Sequence, residues 1–380
     1  MKWLKARGGW GRAAPIQGPL GEDTVSRRSP RRYSAAMSSL HIRSAAALAS
    51  LLLVLASCGG GGGGPSGPLP SVDTAPVAAD DPGSTLPADW QRGAFAQIFV
   101  RAYQDSDGDG IGDLPGLTSR LDYLKDLGFS GLWLMPITRS QDGDHGYAVN
   151  DYRDIEPAYG TLADFDDLLR EAHARGIGVI VDYVINHSAY RHPAFTNSTA
   201  GPGNPFRDWY VWQTSRPQGW NIYGSDPWRV NAGGYYFAAF WDQMPEFNLK
   251  NAAAVAWHHD NLRWWLNRGT DGFRFDAVGN LVENGPAAWE KQPENYVLMN
   301  DVRQLAAGYD KRYIVCEAPG DSQGFAAANA CGSAFGFDFN GQAINAARGN
   351  AAAIQAMRDY FGAAQPGIAT FLSNHDGFAG

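Results

Sequence analysis

Three acidic residues in this 380-residue chain each stand at or just past the end of a largely apolar segment: Asp276 after residues 273–275, Glu317 after 314–316, and Asp376 shortly after 368–373. If each run is a strand, the three carboxyls stand at strand ends. Two carboxyl groups about 5–5.5 Å apart can cut a glycosidic bond with retention, one attacking the anomeric carbon and the other protonating the departing oxygen. Arg274 lies two residues before Asp276, so both side chains point to one face of a strand. A cation there is expected to hold Asp276 ionised, as a nucleophile requires. Glu317 closes an apolar strand, where desolvation raises its pKa and suits it to general-acid work. His375 and Asp376 can grip vicinal hydroxyls, and a third fixed carboxylate favours a cationic transition state.

The elements that must position these groups are legible from residue 90 onward. Apolar runs at 96–100, 131–136, 177–184, 273–276, 313–317, 335–339 and 368–373 read as strands. Between them, residues 117–127, 165–172, 257–266 and 302–307 place apolar residues at helical spacing. Alternation of this kind indicates a parallel α/β architecture. A doubly wound sheet and a (β/α)8 TIM barrel both satisfy it. Polar residues at the C-terminal ends of several strands favour the barrel, which gathers those ends at one rim. Seven strands fit before Gly380, so the sequence reads as a barrel truncated at its C-terminus. The barrel is assigned to residues 89–186 and 252–380. Residues 187–251 are too long for a loop and read as an inserted domain. They hold thirteen aromatics between Phe206 and Phe247.

The chain's net charge of −8 is unevenly spread, with nine Lys/Arg against two Asp/Glu in residues 1–57. The acidic remainder argues against a nucleic-acid partner, which would need a basic face. Residues 45–56 are too short an apolar run to span a bilayer but suit a signal-peptide core. The segment ends at Cys58 in a pattern similar to a bacterial lipobox, which would make Cys58 a lipidation site and the protein an exported, membrane-anchored lipoprotein. Residues 58–88, rich in Gly, Pro, Ser and Ala, are expected to form a flexible tether. Cys316 and Cys331 could pair in an oxidising compartment, or Cys316 could be a buried strand thiol.

Taken in order, these segments resemble glycoside hydrolase family 13, the α-amylase family, over roughly residues 90–380. Asp182, Asn186 and His187 match its first conserved region, Arg274 and Asp276 the second, Glu317 the third, and Asn374, His375 and Asp376 the fourth. Residues 244–248 are similar to a fifth region, with Glu246 where Asp is usual. The resemblance implies Asp276 as nucleophile, Glu317 as acid/base and Asp376 as transition-state stabiliser, with Arg274 orienting Asp276. It also implies sugar contacts from His187, His375, Asp144 and Asn280, and a stacking platform in Tyr147. Many members carry His where this chain has Asn280, which leaves a second calcium site near Asn186 in doubt.

An acidic loop at residues 105–113 places carboxylates at alternate positions with glycines between, a pattern suited to a hard cation such as Ca2+. Its opening is EF-hand-like, but Gly116 stands where such a loop has Glu. Related oligoglucosidases carry a similar loop, and the resemblance implies Asp105, Asp107, Asp109, the Ile111 carbonyl and Asp113 as ligands. The expected activity is hydrolysis of α-1,4 bonds in starch, glycogen or maltooligosaccharides, to which Ala277 after the nucleophile points. The calcium loop leans instead towards α-glucosidase, oligo-1,6-glucosidase or transglycosylase action on short α-glucosides, sucrose or trehalose. A non-catalytic glucan-binding protein is a third reading.

Overall fold

The computed structural model describes residues 69–143, 145–337 and 339–376. Cys58 and Asp144 lie outside the described residues, so the expectations placed on them find no test in the fold. No helix among the described residues is long and apolar enough to cross a membrane.

The architecture is a curled parallel sheet of seven strands, the larger part of a (β/α)8 barrel. In chain order these strands are β1 (Ala94–Ile98), β2 (Phe129–Leu134), β5 (Gly178–Tyr183), β9 (Gly272–Phe275), β10 (Tyr313–Cys316), β11 (Ala334–Phe335) and β12 (Ile368–Ala369). They are hydrogen-bonded in that same order. Each neighbour pair is parallel, with registers such as Leu132 opposite Val179 and Ile314 opposite Phe273. The curl is visible in contacts across the interior. Trp133 of β2 packs against Phe335 of β11 at 5.1 Å, and Phe95 of β1 against Tyr313 of β10 at 5.7 Å. β5 is buried along its whole length, as a strand covered on both faces must be.

The connecting helices are α1 (Leu114–Thr118), α2 (Leu121–Asp126), α3 (Leu162–Ala174), α5 (Ala252–Asn267), α6 (Pro293–Ala307), α7 (Ser322–Ala326), α8 (Phe339–Ala347) and α9 (Ala351–Ala363). Local signals set their starts. Thr161 and Asp164 make a reciprocal capping box at α3, and the Asn251 side chain accepts from Ala253 and Ala254 at α5.

Several boundaries differ from expectation. The single helix read over 117–127 is two short helices, divided at residues 119–120. The strand read over 335–339 ends at Phe335, and Phe339 already begins α8. An antiparallel pair, β3 (Thr138–Ser140) and β4 (Val149–Ile155), follows β2 without having announced itself in the periodicity. Residues 187–251 do contain their own structure: α4 (Pro193–Ser198) and a three-stranded antiparallel sheet of β6 (Trp212–Gln213), β7 (Trp228–Asn231) and β8 (Gly234–Phe237) in the order β6-β8-β7. Its aromatics form a small core around Ile222, Trp228, Phe237 and Ala239. Cys316 and Cys331 are joined as a disulfide.

The stretch expected to hang free as a tether is instead laid along the barrel from about residue 70. Asn197 donates to the Pro70 carbonyl, Arg153 pairs with Asp73 at 2.9 Å, and Trp257 donates through Nε1 to the Asp73 carbonyl. Further on, Val77 binds Asp260 and residues 78–80 bind Asn267. Lys311 then reaches the carbonyls of Ser84 and Leu86. A cavity of about 260 Å³ remains between this strap and the barrel wall, lined by Asp73, Arg153, His192 and Trp257 among others. Leu86 and Trp90 finish the run inside a cluster with Trp133, Ile180 and Val315. A Cβ at Gly178 would meet the Trp90 ring at 2.2 Å, so this strand start must be glycine for the indole to seat.

Candidate active site

The C-terminal ends of β5, β9 and β10, with the segment after β12, converge on one polar cluster. Arg274 lies at its centre, 1 % exposed. Its Nη1 donates to Asp182 at 2.8 and 2.9 Å and to Asp276 at 2.7 Å, while Nη2 contacts Glu317 at 2.8 Å. One guanidinium therefore orders three carboxylates, which its planar fork suits. Its cation also faces the Trp133 ring at 5.2 Å. The expected side-by-side placement of Arg274 and Asp276 is present.

The electrostatics differ from expectation at Asp276. Burial pushes its pKa up and outweighs the opposing pull of Arg274. Asp276 is thus a desolvated carboxylate, held by its cation without being made more acidic than usual. Glu317 behaves as expected: burial raises its pKa, the Asp276 charge adds to the rise, and Arg274 opposes it. A hydrogen bond joins Glu317 to Asp276, and another joins Glu317 to Asp376. Binding to the two terminal nitrogens of one guanidinium keeps the first two carboxyls close to each other, as a retaining pair requires. Asp376 is also raised, by burial first and by Glu317 second.

Backbone geometry fixes the acid. Ala277 adopts a left-handed conformation, φ 47°, in which its N–H donates to Glu317 Oε2 at 3.0 Å. Non-glycine residues visit this region rarely, and strained positions cluster at functional sites. Nothing in the sequence announces this donor. Asp182 is a second group whose part here exceeds what its motif suggested. It accepts from Arg274, from Trp133 Nε1 at 3.2 Å and from the Tyr147 hydroxyl at 3.0 Å. Burial raises its pKa and Arg274 opposes that.

Tyr147 enters from the loop between β3 and β4. Its ring stacks on His375 at 5.8 Å and 10°. Both ring nitrogens of His375 are engaged, Nδ1 with Gln97 Nε2 at 2.6 Å and Nε2 with the Tyr147 hydroxyl at 2.9 Å. These contacts tie the segment after β12 to β1 and the β3–β4 loop. His375 is therefore held by protein groups, where free sugar contacts had been expected, and burial lowers its pKa to about 3. His187 is buried against Phe240, and its Nε2 has no hydrogen-bond partner among the described residues. Burial lowers its pKa to about 4, so it is neutral and able to donate to or accept from a sugar hydroxyl. Asn280 is bonded to the Tyr223 hydroxyl. Asn186 turns its side chain to Glu246.

In the acidic loop, ligand oxygens of Asp105, Asp107 and Asp109 lie within 4.8 Å of one another. Positive φ at Gly108 and Gly110 makes the turn. Backbone N–H groups of Gly108 and Gly110 hold the Asp105 carboxyl below its usual pKa, which keeps it ionised. This donor set fits a hard, oxygen-preferring cation. Asp113 stands outside the trio. Its oxygens accept from Ser106 and from the Gly116 N–H as the cap of α1.

A parallel barrel with a carboxyl trio on its C-terminal rim defines the glycosidase class of site. The family described as "Alpha amylase, catalytic domain" matches residues 97–377, and the chain belongs to it. Alpha-amylase 3 of Dictyoglomus thermophilum is 40 % identical over 233 residues, covering 60 % of this chain and 46 % of that protein. The oligo-1,6-glucosidase of Parageobacillus thermoglucosidasius is 36 % identical over 213 residues, covering 54 % and 38 %. Among solved structures, an α-glucosyl transfer enzyme superposes with a TM-score of 0.67 at 30 % identity, covering 76 % of this chain and 61 % of that one. The chain spans about half the length of the curated relatives it matches or less.

Proposed function

We propose that this chain cleaves α-glucosidic bonds in short α-glucosides with retention of configuration. The observation that carries the reading is the contact between Glu317 and Asp276 on one guanidinium. Glu317, kept protonated by burial, gives its proton to the departing glycosidic oxygen while Asp276 attacks the anomeric carbon. The resulting glucosyl ester is then hydrolysed by a water that Glu317, now ionised, deprotonates. Asp376 adds negative charge beside the cationic transition state. Short substrates are preferred over starch because relatives carry the names oligo-1,6-glucosidase and α-glucosyl transfer enzyme, and Ala277 inclines the linkage to α-1,4. Transfer to a second sugar is a built-in competitor, since water and a hydroxyl attack the same ester.

Incubation of the full chain with maltose, maltotriose, isomaltose, sucrose and soluble starch, followed by NMR of the first anomer released, tests this. The expected result is α-glucose from maltose or maltotriose with slower action on starch. First release of the β-anomer, or no release from any α-glucoside, overturns it.

Calcium is proposed at Asp105, Asp107 and Asp109 with the Ile111 carbonyl. There it would neutralise the trio and stiffen the loop after β1, without entering the reaction. Export with a lipid anchor at Cys58 is likewise proposed from the apolar run 45–56. Metabolic labelling with a fatty-acid analogue, lost in Cys58→Ser, would support the anchor.

A further inference from the structure

The inserted domain and the barrel meet beside Glu317 through an aromatic contact that the reaction so far described does not use. Tyr223 stands at the tip of a tight turn in which Ile222 and Ser225 exchange backbone hydrogen bonds at 2.8 and 2.9 Å. Its φ is 49°, a conformation costly for an aromatic residue. It is also 57 % exposed, so burial does not explain the strain. The hydroxyl is anchored on the Asn280 amide at 3.3 Å. The ring meets Trp289 edge-on at 5.2 Å and tilts against Phe240 at 6.1 Å. Trp289 comes from the loop after β9 and packs on the inserted domain's core.

Two observations set the side of the site on which this pair lies. Asn280 follows Ala277, the donor to Glu317, by three residues, and both belong to one short turn. The charges of Glu290, Glu246 and Glu317 also reach the Tyr223 hydroxyl and, with burial of that end, raise its pKa. The pair is thus on the acid's side. Because Glu317 protonates the departing oxygen, the departing sugar must lie there too.

We propose that Tyr223 and Trp289 form the platform that receives the leaving-group sugar. The argument rests on the retaining reading above. Pyranose rings present a C–H face that packs on exposed aromatic surface, whose body is apolar and whose tip is polar.

The test compares maltotriose with α-glucosyl fluoride on the full chain, because fluoride departs without a sugar to contact the platform. Tyr223→Ala and Trp289→Ala are expected to lower kcat/KM on maltotriose roughly 10- to 100-fold. Most of that loss should lie in KM, and the loss on α-glucosyl fluoride should be several-fold smaller. Tyr223→Phe should recover most of the maltotriose activity, and Tyr223→Ala should lower the ratio of transfer to hydrolysis when maltose is added as acceptor. Equal losses on the two substrates, or no loss on either, overturn the platform. A wild-type chain inactive on both substrates overturns the retaining reading instead.

Discussion

Arg274 contacts Asp182, Asp276 and Glu317, and on each of them burial outweighs its pull. Desolvation raises Asp276 and Glu317, and the Asp276 charge contributes to the rise at Glu317. Replacing Asp276 by Asn removes both nucleophile and charge. Hydrolysis of maltotriose by Asp276→Asn is expected to fall by at least about 10⁴-fold, the range of an enzyme losing its nucleophile. Glu317 should then titrate at lower pH than in the wild type, because the Asp276 charge no longer opposes its ionisation. Infrared difference spectra of the carboxyl band across pH would follow it; an unchanged or higher Glu317 midpoint contradicts the assignment. The placement of Arg274, Asp276 and Glu317 at strand ends was legible in the sequence because strand periodicity and residue type mark them. The Ala277 N–H was not, since a left-handed φ at alanine leaves no compositional trace. Nor was the engagement of both His375 nitrogens, which depends on Gln97, 278 residues away.

Among the elements, the seam between the inserted domain and the barrel carries a second carboxyl pair. Glu246 is 1 % exposed and accepts from the Ala239 N–H at 2.9 Å. It is hydrogen-bonded to Glu283, whose chain is held by Lys250 donating to the Glu283 carbonyl. Burial pushes Glu246 up, with the Glu283 charge adding to it, and burial pushes Glu283 to about 7. A carboxyl with a higher pKa folded than unfolded binds its proton more tightly in the native state. Its contribution to stability is therefore complete below about 4.5 and is lost as pH climbs through about 7. Glu246→Gln removes one titrating member while keeping the shape. It should be more stable than the wild type at pH 8.5, by roughly 1–2 kcal/mol, and therefore melt at a higher temperature there, and differ little at pH 5. Equal melting shifts at both pH values would show that the pair is not titrating. Glu246 was visible in the sequence only as a motif variant, because its partner comes from a loop after β9 with no periodic pattern. The alternation of strands and helices was readable for the same reason that the β3–β4 hairpin was not: long repeating elements leave a signal that short pairs lack.

For the whole molecule, the largest departure from the sequence reading is the strap. Composition marks residues 58–88 as unable to build a core alone. The described part of that stretch, from residue 69, docks on a core made by the barrel, through Asp73, Asp81 and above all Leu86, 1 % exposed beneath the barrel. Proline, glycine and serine content reports what a segment cannot do alone and is silent on what it can lie against. Leu86→Ala should cost about 2–4 kcal/mol of unfolding free energy in a denaturant titration, whereas truncation of a true tether would cost nothing measurable. A loss below about 0.5 kcal/mol would return the segment to the status of a linker.

The strap's partners lie 80 to 231 residues further along the chain, most of them beyond residue 250. A ribosome delivers the N-terminal side first, so residues 73–86 emerge long before Asp260, Asn267 and residues 310–312 exist to receive them. Loop closure over such sequence separation is slow and must precede the contacts that reward it. Docking of Leu86 and Trp90 is accordingly a late step, and until then the underside of the barrel stays open. A segment made early is the one that closes the fold.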